Sequence, residues 1–272
     1  MKKIALAAAA LSIMFAGAAS AADMAVKARP APVPVAVWNW TGFYVGINGG
    51  YGWNDGYDVP VSGSNVIVIS QPATVPFFVP GLKPEGGLIG GTAGWNYQFG
   101  RGLVGIEADF DWADIRNARN VDLPAVVACC RTSASQKIDF FGTVRGRLGF
   151  LATDQLLLFA TGGLAYANVQ TNANVNEFFN GPVLGRQFIA STSDLRYGWT
   201  VGVGAEWKFA RNWSVKGEYL YYDLGSYTVT GPQTNPVLAT QFATYGFGTR
   251  GSIARAGLNY QFNWGGPVVA KY

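Results

Sequence analysis

Arg250 to Phe262 reads R-G-S-I-A-R-A-G-L-N-Y-Q-F. Ala254, Ala256, Leu258, Tyr260 and Phe262 alternate with Arg255, Gly257, Asn259 and Gln261. A period of two puts the first set on one face of a β-strand and the second on the other. One face is greasy and the other polar, and the strand ends in two spaced aromatics. That is the form of a stave of a transmembrane β-barrel, with Tyr260 and Phe262 in the aromatic girdle at the membrane surface.

Seven more stretches alternate in the same way. Near Trp40 to Trp53, the apolar set is Phe43, Val45, Ile47, Tyr51 and Trp53, and the other face carries Gly42, Gly46, Asn48, Gly50 and Gly52. In Gly87 to Phe99 the apolar set includes Ile89, Trp95, Tyr97 and Phe99. Beyond the tight turn at Gly100-Arg101-Gly102, Val104, Ile106, Ala108, Phe110 and Trp112 oppose Glu107, Asp109 and Asp111. Lys137 to Phe150 sets Ile138, Phe140, Val144, Leu148 and Phe150 against Lys137, Asp139, Thr143, Arg145 and Arg147. Leu156, Leu158, Ala160, Leu164 and Tyr166 follow the turn at Ala152 to Gln155. Trp199 to Phe209 and Trp213 to Tyr221, joined at Ala210 to Asn212, supply two more, with Glu206, Lys208, Lys216 and Glu218 on their polar faces.

The connections alternate between very short and long, the long ones being 54–85, 113–136, 171–194 and 224–249. Outer-membrane barrels have short periplasmic turns, longer outside loops and both ends on the periplasmic side. The predicted fold is all-β: an eight-stranded antiparallel up-and-down transmembrane β-barrel with four long extracellular loops, spanning 40–262.

Charge placement tests this register. The twelve charged residues of the strands all fall on the polar face: Glu107, Asp109, Asp111, Asp139, Glu206 and Glu218 against Lys137, Arg145, Arg147, Lys208, Lys216 and Arg255. Six acids balance six bases. A lysine or arginine on the lipid face near the midplane costs roughly 2–4 kcal/mol, so the charges point inward, where they can pair. A soluble lipocalin-like barrel has the opposite polarity. Eight strands leave an interior that side chains about fill. The cluster therefore reads as a charged plug without a wide pore, with a narrow ion path through it as the alternative.

Composition agrees. Of 272 residues, 36 are glycine and 14% aromatic, and only 13% are charged, about half the usual share. Met1 to Ala22 has the basic start, apolar stretch and small-residue cleavage site of a secretory signal peptide. Losing Lys2 and Lys3 takes the formal charge from +4 to +2, and export argues against a nucleic-acid partner. Residues 23–39 form a Pro-rich periplasmic leader, where Pro30, Pro32 and Pro34 favour an extended segment. Residues 263–272 form a tail of unassigned role. There is no histidine, which removes Ser-His and Cys-His catalysis and the commonest metal and haem ligand. No enzyme activity, cofactor or metal is expected. The two cysteines, Cys129 and Cys130, are neighbours. Their Cα atoms are about 3.8 Å apart, closer than an ordinary disulfide prefers. They read as an incidental loop pair, with a strained vicinal disulfide as the alternative.

W-T-G-F-Y-V-G at Trp40 to Gly46, A-T-G-G-L-A-Y at Ala160 to Tyr166 and A-G-L-N-Y-Q-F at Ala256 to Phe262 resemble one family. It is the outer-membrane immunogenic protein (RopB-type) family of Gram-negative bacteria, with OmpA-like eight-stranded, porin-family barrels. Arg255, Gly257, Tyr260 and Phe262 resemble the C-terminal signal that the barrel assembly machinery reads, although here the tail follows it. The resemblance implies a cell outer-membrane location and a role as a surface antigen supporting envelope integrity. It also implies dealings with periplasmic chaperones and the assembly machinery, and some members are porin-like or bind haemin.

Binding would use the outside loops. Val66 to Ile69 and Val75 to Val79 are apolar for a loop, and read as a hairpin extending the strands or, alternatively, as an adhesive patch. Arg116, Arg119 and Arg131 are candidates to meet lipopolysaccharide phosphates among the surrounding outer-membrane lipid. The function read from the sequence is a structural and surface-interaction barrel, the alternatives being a small-solute porin and loop binding of haemin or a host ligand.

Overall fold

The computed structural model describes residues 38–63, 78–122, 130–179, 183–235 and 237–262. The signal peptide, the leader as far as Val37, the tail, Cys129, Val66 to Ile69 and Val75 to Phe77 lie outside the described residues.

Ten strands form: β1 (Gly42–Trp53), β2 (Tyr57–Gly63), β3 (Phe78–Leu82), β4 (Glu85–Phe99), β5 (Gly102–Asp122), β6 (Cys130–Leu151), β7 (Leu156–Phe179), β8 (Val183–Lys208), β9 (Trp213–Asn235) and β10 (Val237–Gln261). The sheet runs β1-β4-β5-β6-β7-β8-β9-β10, and an antiparallel β1–β10 pairing closes it into a ring of eight. Closure sets Arg255 opposite Gly50 and Tyr260 opposite Val45. The three short connections are tight: Gly100 takes φ 58° between β4 and β5, and Ala152 N–H donates to Leu156 O between β6 and β7.

The outward face of the lower half is the apolar band read from the alternation. Ile47, Ile89, Ile106, Leu148, Val203 and Val215 are exposed along it. Aromatics bracket it below, where Tyr260 meets Trp213 edge-on at 5.1 Å and Phe43 stacks on Phe262 at 6.0 Å. They bracket it above as well, where Phe110 packs on Phe140 at 5.3 Å and Trp199 on Tyr221 at 5.6 Å.

β5 to β10 do not end at the upper girdle. Stretches that lack an apolar alternation, and so read as loops, continue the staves with their polarity reversed. On β7, Leu158, Ala160 and Leu164 face lipid, whereas higher up Asn168, Asn172 and Asn174 face out and Ala167, Val169, Ala173 and Val175 are buried within. Outside is hydrocarbon below and water above, so the greasy face must change sides. From Asn168 to Phe179 the wall rises about 30 Å above the girdle, allowing for strand tilt.

In this raised part the β2–β3 hairpin continues the wall beside β10. Val61 pairs with Tyr245, and Val59 with Val79. The breaks fall at Asn54 to Gly56 and at Lys83-Pro84, bridged by Asn54 N–H to Pro84 O at 3.0 Å. Val59, Val79 and Leu82 complete an apolar core with Phe188, Val229, Tyr245 and Phe247. Of the apolar stretches expected to form a hairpin in this connection only Phe78 and Val79 are described; they lie on β3, where Val79 is part of the core.

Candidate functional site

Inside the ring the side chains are layered along the axis. Trp40, Leu103, Leu151, Leu157 and Phe159 fill the periplasmic mouth. Above them lies a charged layer, then a second apolar layer that includes Ile115, Ile138, Phe141, Leu220, Tyr222 and Ile253. A neutral polar layer follows, where Gln136 donates to Thr249 Oγ1 at 3.0 Å and Tyr227 OH lies 2.5 Å from Thr171 Oγ1. The core of the raised part closes the stack.

The charged layer holds Glu107, Asp109, Asp111, Glu206 and Glu218 with Arg145, Arg147, Lys208, Lys216 and Arg255, all buried. Arg255 on β10 binds three carboxylates at 2.7 Å each: Glu218 through Nε, Asp111 through Nη1 and Asp109 through Nη2. Arg145 on β6 reaches Glu107 at 2.5 Å, Asp109 at 2.9 Å and Glu218 at 2.9 Å, and donates to Thr143 and Thr161. Lys216 grips both oxygens of Glu107 at 2.9 Å. Arg147 pairs with Glu206, whose other oxygen accepts from Asn259 and Ser214. Isolated, any of these charges would be costly to bury; all but Lys208 are offset by ion pairs and hydrogen bonds, and Lys208 donates to Gln261 and to Asn39 O.

Glycine makes the layer geometrically feasible. A Cβ on Gly50 would stand 2.5 Å from Arg255 Cβ, and one on Gly90 2.3 Å from Asp111 Oδ1. The bare β1–β4 wall leaves room for the long side chains opposite.

Lys137 and Asp139 are not in this cluster, contrary to the reading from alternation. β6 shifts register between Ile138 and Phe140, and β5 between Trp112 and Ile115. An extra residue at a bulge reverses the parity above it. Ile138, assigned to the lipid face, is therefore buried inside, while Lys137 and Asp139 pair on the outer wall at 2.7 Å. Phe140 stays outward and its neighbour Phe141 turns in.

Alternation also left out Tyr44 and Trp40. Tyr44 donates to Glu107 at 2.6 Å and accepts from Arg147 at 3.3 Å. Its parity with Gly46 and Asn48 is the signal that placed it inside. Trp40 is not a stave residue but a stopper. Its backbone N–H donates to Gln98 Oε1 at 2.9 Å, its indole to Asp154 O at 3.1 Å, and Lys208 Nζ sits 4.5 Å from the ring centroid. Lys208 also bonds Asn39 O at 2.6 Å, so it belongs to the mouth rather than to the ion-pair centre.

Of the residues matching an assembly signal, Arg255 is at the centre of the charge layer and Gly257 pairs with Asn48 and Lys216. Tyr260 and Phe262 meet edge-on at 5.1 Å in the lower girdle. Cys130 is disulfide-bonded, and Cys129 lies outside the described residues.

A closed antiparallel barrel with an apolar band between two aromatic girdles, and its charges sealed inside, defines an integral outer-membrane protein. The sequence profile of the outer membrane protein beta-barrel domain matches residues 6–265. The 31 kDa outer-membrane immunogenic protein of Brucella melitensis biotype 1 is 34% identical over 231 residues, covering 82% of this chain and 84% of the relative. The 25 kDa outer-membrane immunogenic protein of Brucella abortus biovar 1 is 26% identical, covering 78% and 79%. The crystal structure of OprG from Pseudomonas aeruginosa aligns with a TM-score of 0.47 at 13% identity, over 83% of this chain and 98% of that one. The chain belongs to the outer-membrane immunogenic protein family, and its place is the outer membrane of a Gram-negative bacterium.

Proposed function

We propose that this barrel is a structural and surface-displayed component of the envelope that offers solutes no path. The observation that carries the reading is the layering: the charged layer lies between apolar layers filled by side chains, with Trp40 below and Phe141, Leu220 and Tyr222 above. An ion crossing it would have to shed its hydration among apolar groups, at a cost of several kcal/mol or more. Antigen display is supported by the height of the raised wall and by the relatives, which carry the name immunogenic. Catalysis has no part in it, because the chain lacks histidine and the five acids of the charged layer are all bonded to bases.

Reconstituted in planar bilayers, the full chain is expected to stay silent across monovalent salts and applied voltages. Reproducible conductance steps would overturn the reading in favour of a small-solute porin.

A further inference from the structure

The outer wall over β5, β6 and β7 carries three chemistries in vertical order. Cross-strand register fixes the tiers. At the upper edge of the apolar band, Phe110, Gly142 and Tyr166 lie side by side, with Trp112 beside Phe140 just above them. The next tier pairs Arg116 with Lys137, both pointing outward because Ile115 and Ile138 point in. Above it Ser135 lies beside Asn172, and Ser133 lies between Asn120 and Asn174. These amides and hydroxyls line a groove of about 240 Å³. The wall is apolar, then charged, with Arg116 and Lys137 beside Asp114 and Asp139, then neutral and rich in hydrogen-bonding groups.

We propose that this face is a docking stripe for lipopolysaccharide of the surrounding leaflet. Acyl chains would lie against the aromatics, phosphates on Arg116 and Lys137, and the first core sugars in the Ser and Asn groove. Phosphates of such a lipid sit at the water edge of the hydrocarbon, which is where the two cations stand. Successive tiers are two residues apart, roughly 7 Å along the strand, on the scale of one sugar ring. The groove opens on the side of the wall, so it faces neighbours in the membrane rather than another cell.

The two acids of this tier do not withhold its bases from a phosphate. Asp139 takes bonds from Gln170 Nε2 at 2.5 Å and Asn168 Nδ2 at 3.1 Å besides Lys137, so its charge stays solvated when the ammonium turns to a phosphate. Arg116 meets Asp114 at 3.3 Å with both side chains more than half exposed, a weak pair that a phosphate readily displaces.

The test uses the full chain in detergent micelles, with bound lipid counted by native mass spectrometry. The probes are rough-type lipopolysaccharide with its core sugars, lipid A without them, and phosphatidylglycerol. The wild type is expected to bind in that order of affinity. R116S/K137S is expected to weaken both phosphorylated glycolipids about tenfold. S133A/N172A/N174A is expected to bind lipid A as before but to lose the preference for the form with core sugars. All substituted side chains are on the outer wall, so each variant keeps the heat-dependent gel shift of a closed barrel. Unchanged glycolipid affinity in R116S/K137S, or equal wild-type affinity for lipopolysaccharide and phosphatidylglycerol, would overturn the proposal. Neither result depends on whether the barrel conducts.

Discussion

Arg255→Leu is expected to destabilise the barrel by about 3–5 kcal/mol, because it leaves three carboxylates without their shared partner in a dry interior. Glu218, Asp109 and Asp111 each sit 2.7 Å from a different guanidinium nitrogen. Arg145 still engages Glu218 and Asp109, but Asp111 loses its ion pair altogether. The urea midpoint of refolded protein should fall well below that of the wild type, and much of it should end unfolded. Adding Asp111→Asn is expected to recover part of the loss, since neutralising the orphan removes the costliest member. An unchanged midpoint for the single variant would mean that water reaches Asp111 and that the layer is wet.

Phe188→Ala tests the raised part separately. Phe188 is fully buried among Val59, Val175, Ala190, Val229 and Tyr245 above the girdle. Truncating a buried phenylalanine costs about 3–5 kcal/mol through lost contacts and the cavity left behind. None of that cost falls on the ion-pair layer or the lipid-facing band. The expected outcome is selective: externally added protease cuts the strands above the membrane faster, while the heat-dependent gel shift persists. Equal loss of both would show that the two parts unfold as one cooperative unit.

The ring of eight was legible because hydrocarbon is unforgiving. It forbids charge on one face and rewards apolar residues there, so Leu158, Ala160 and Leu164, or Val201, Val203 and Ala205, stand out against Thr161 or Gly202. Above the membrane that constraint lapses. Asn172 and Asn174 facing water beside Ala173 and Val175 facing a core make a weaker contrast, and small inward residues such as Ala165 and Ala167 blur it further. Strand continuations therefore passed for loops. The bulge between Ile138 and Phe140 was hidden for another reason: an unbroken strand puts both apolar side chains on one face, and only Phe141 next to Phe140 hints otherwise. Five acids and five bases were placed together by parity alone. The three-way grip of Arg255 and the stopper role of Trp40 depend on rotamers and chain entry, on which alternation is silent.

The reversal of polarity along the long staves, β5 to β10, also fixes where the molecule floats. A uniformly greasy barrel would ride up or down with bilayer thickness at modest cost. Here sinking by one dyad, roughly 7 Å of strand, would push Asn168 and the Arg116–Lys137 tier into hydrocarbon all along that side. Rising by the same amount would lift Leu164 and Phe110 into water. The bilayer should therefore adjust its thickness to the protein, making each copy a rigid gauge that sets the height of the leaflet around it.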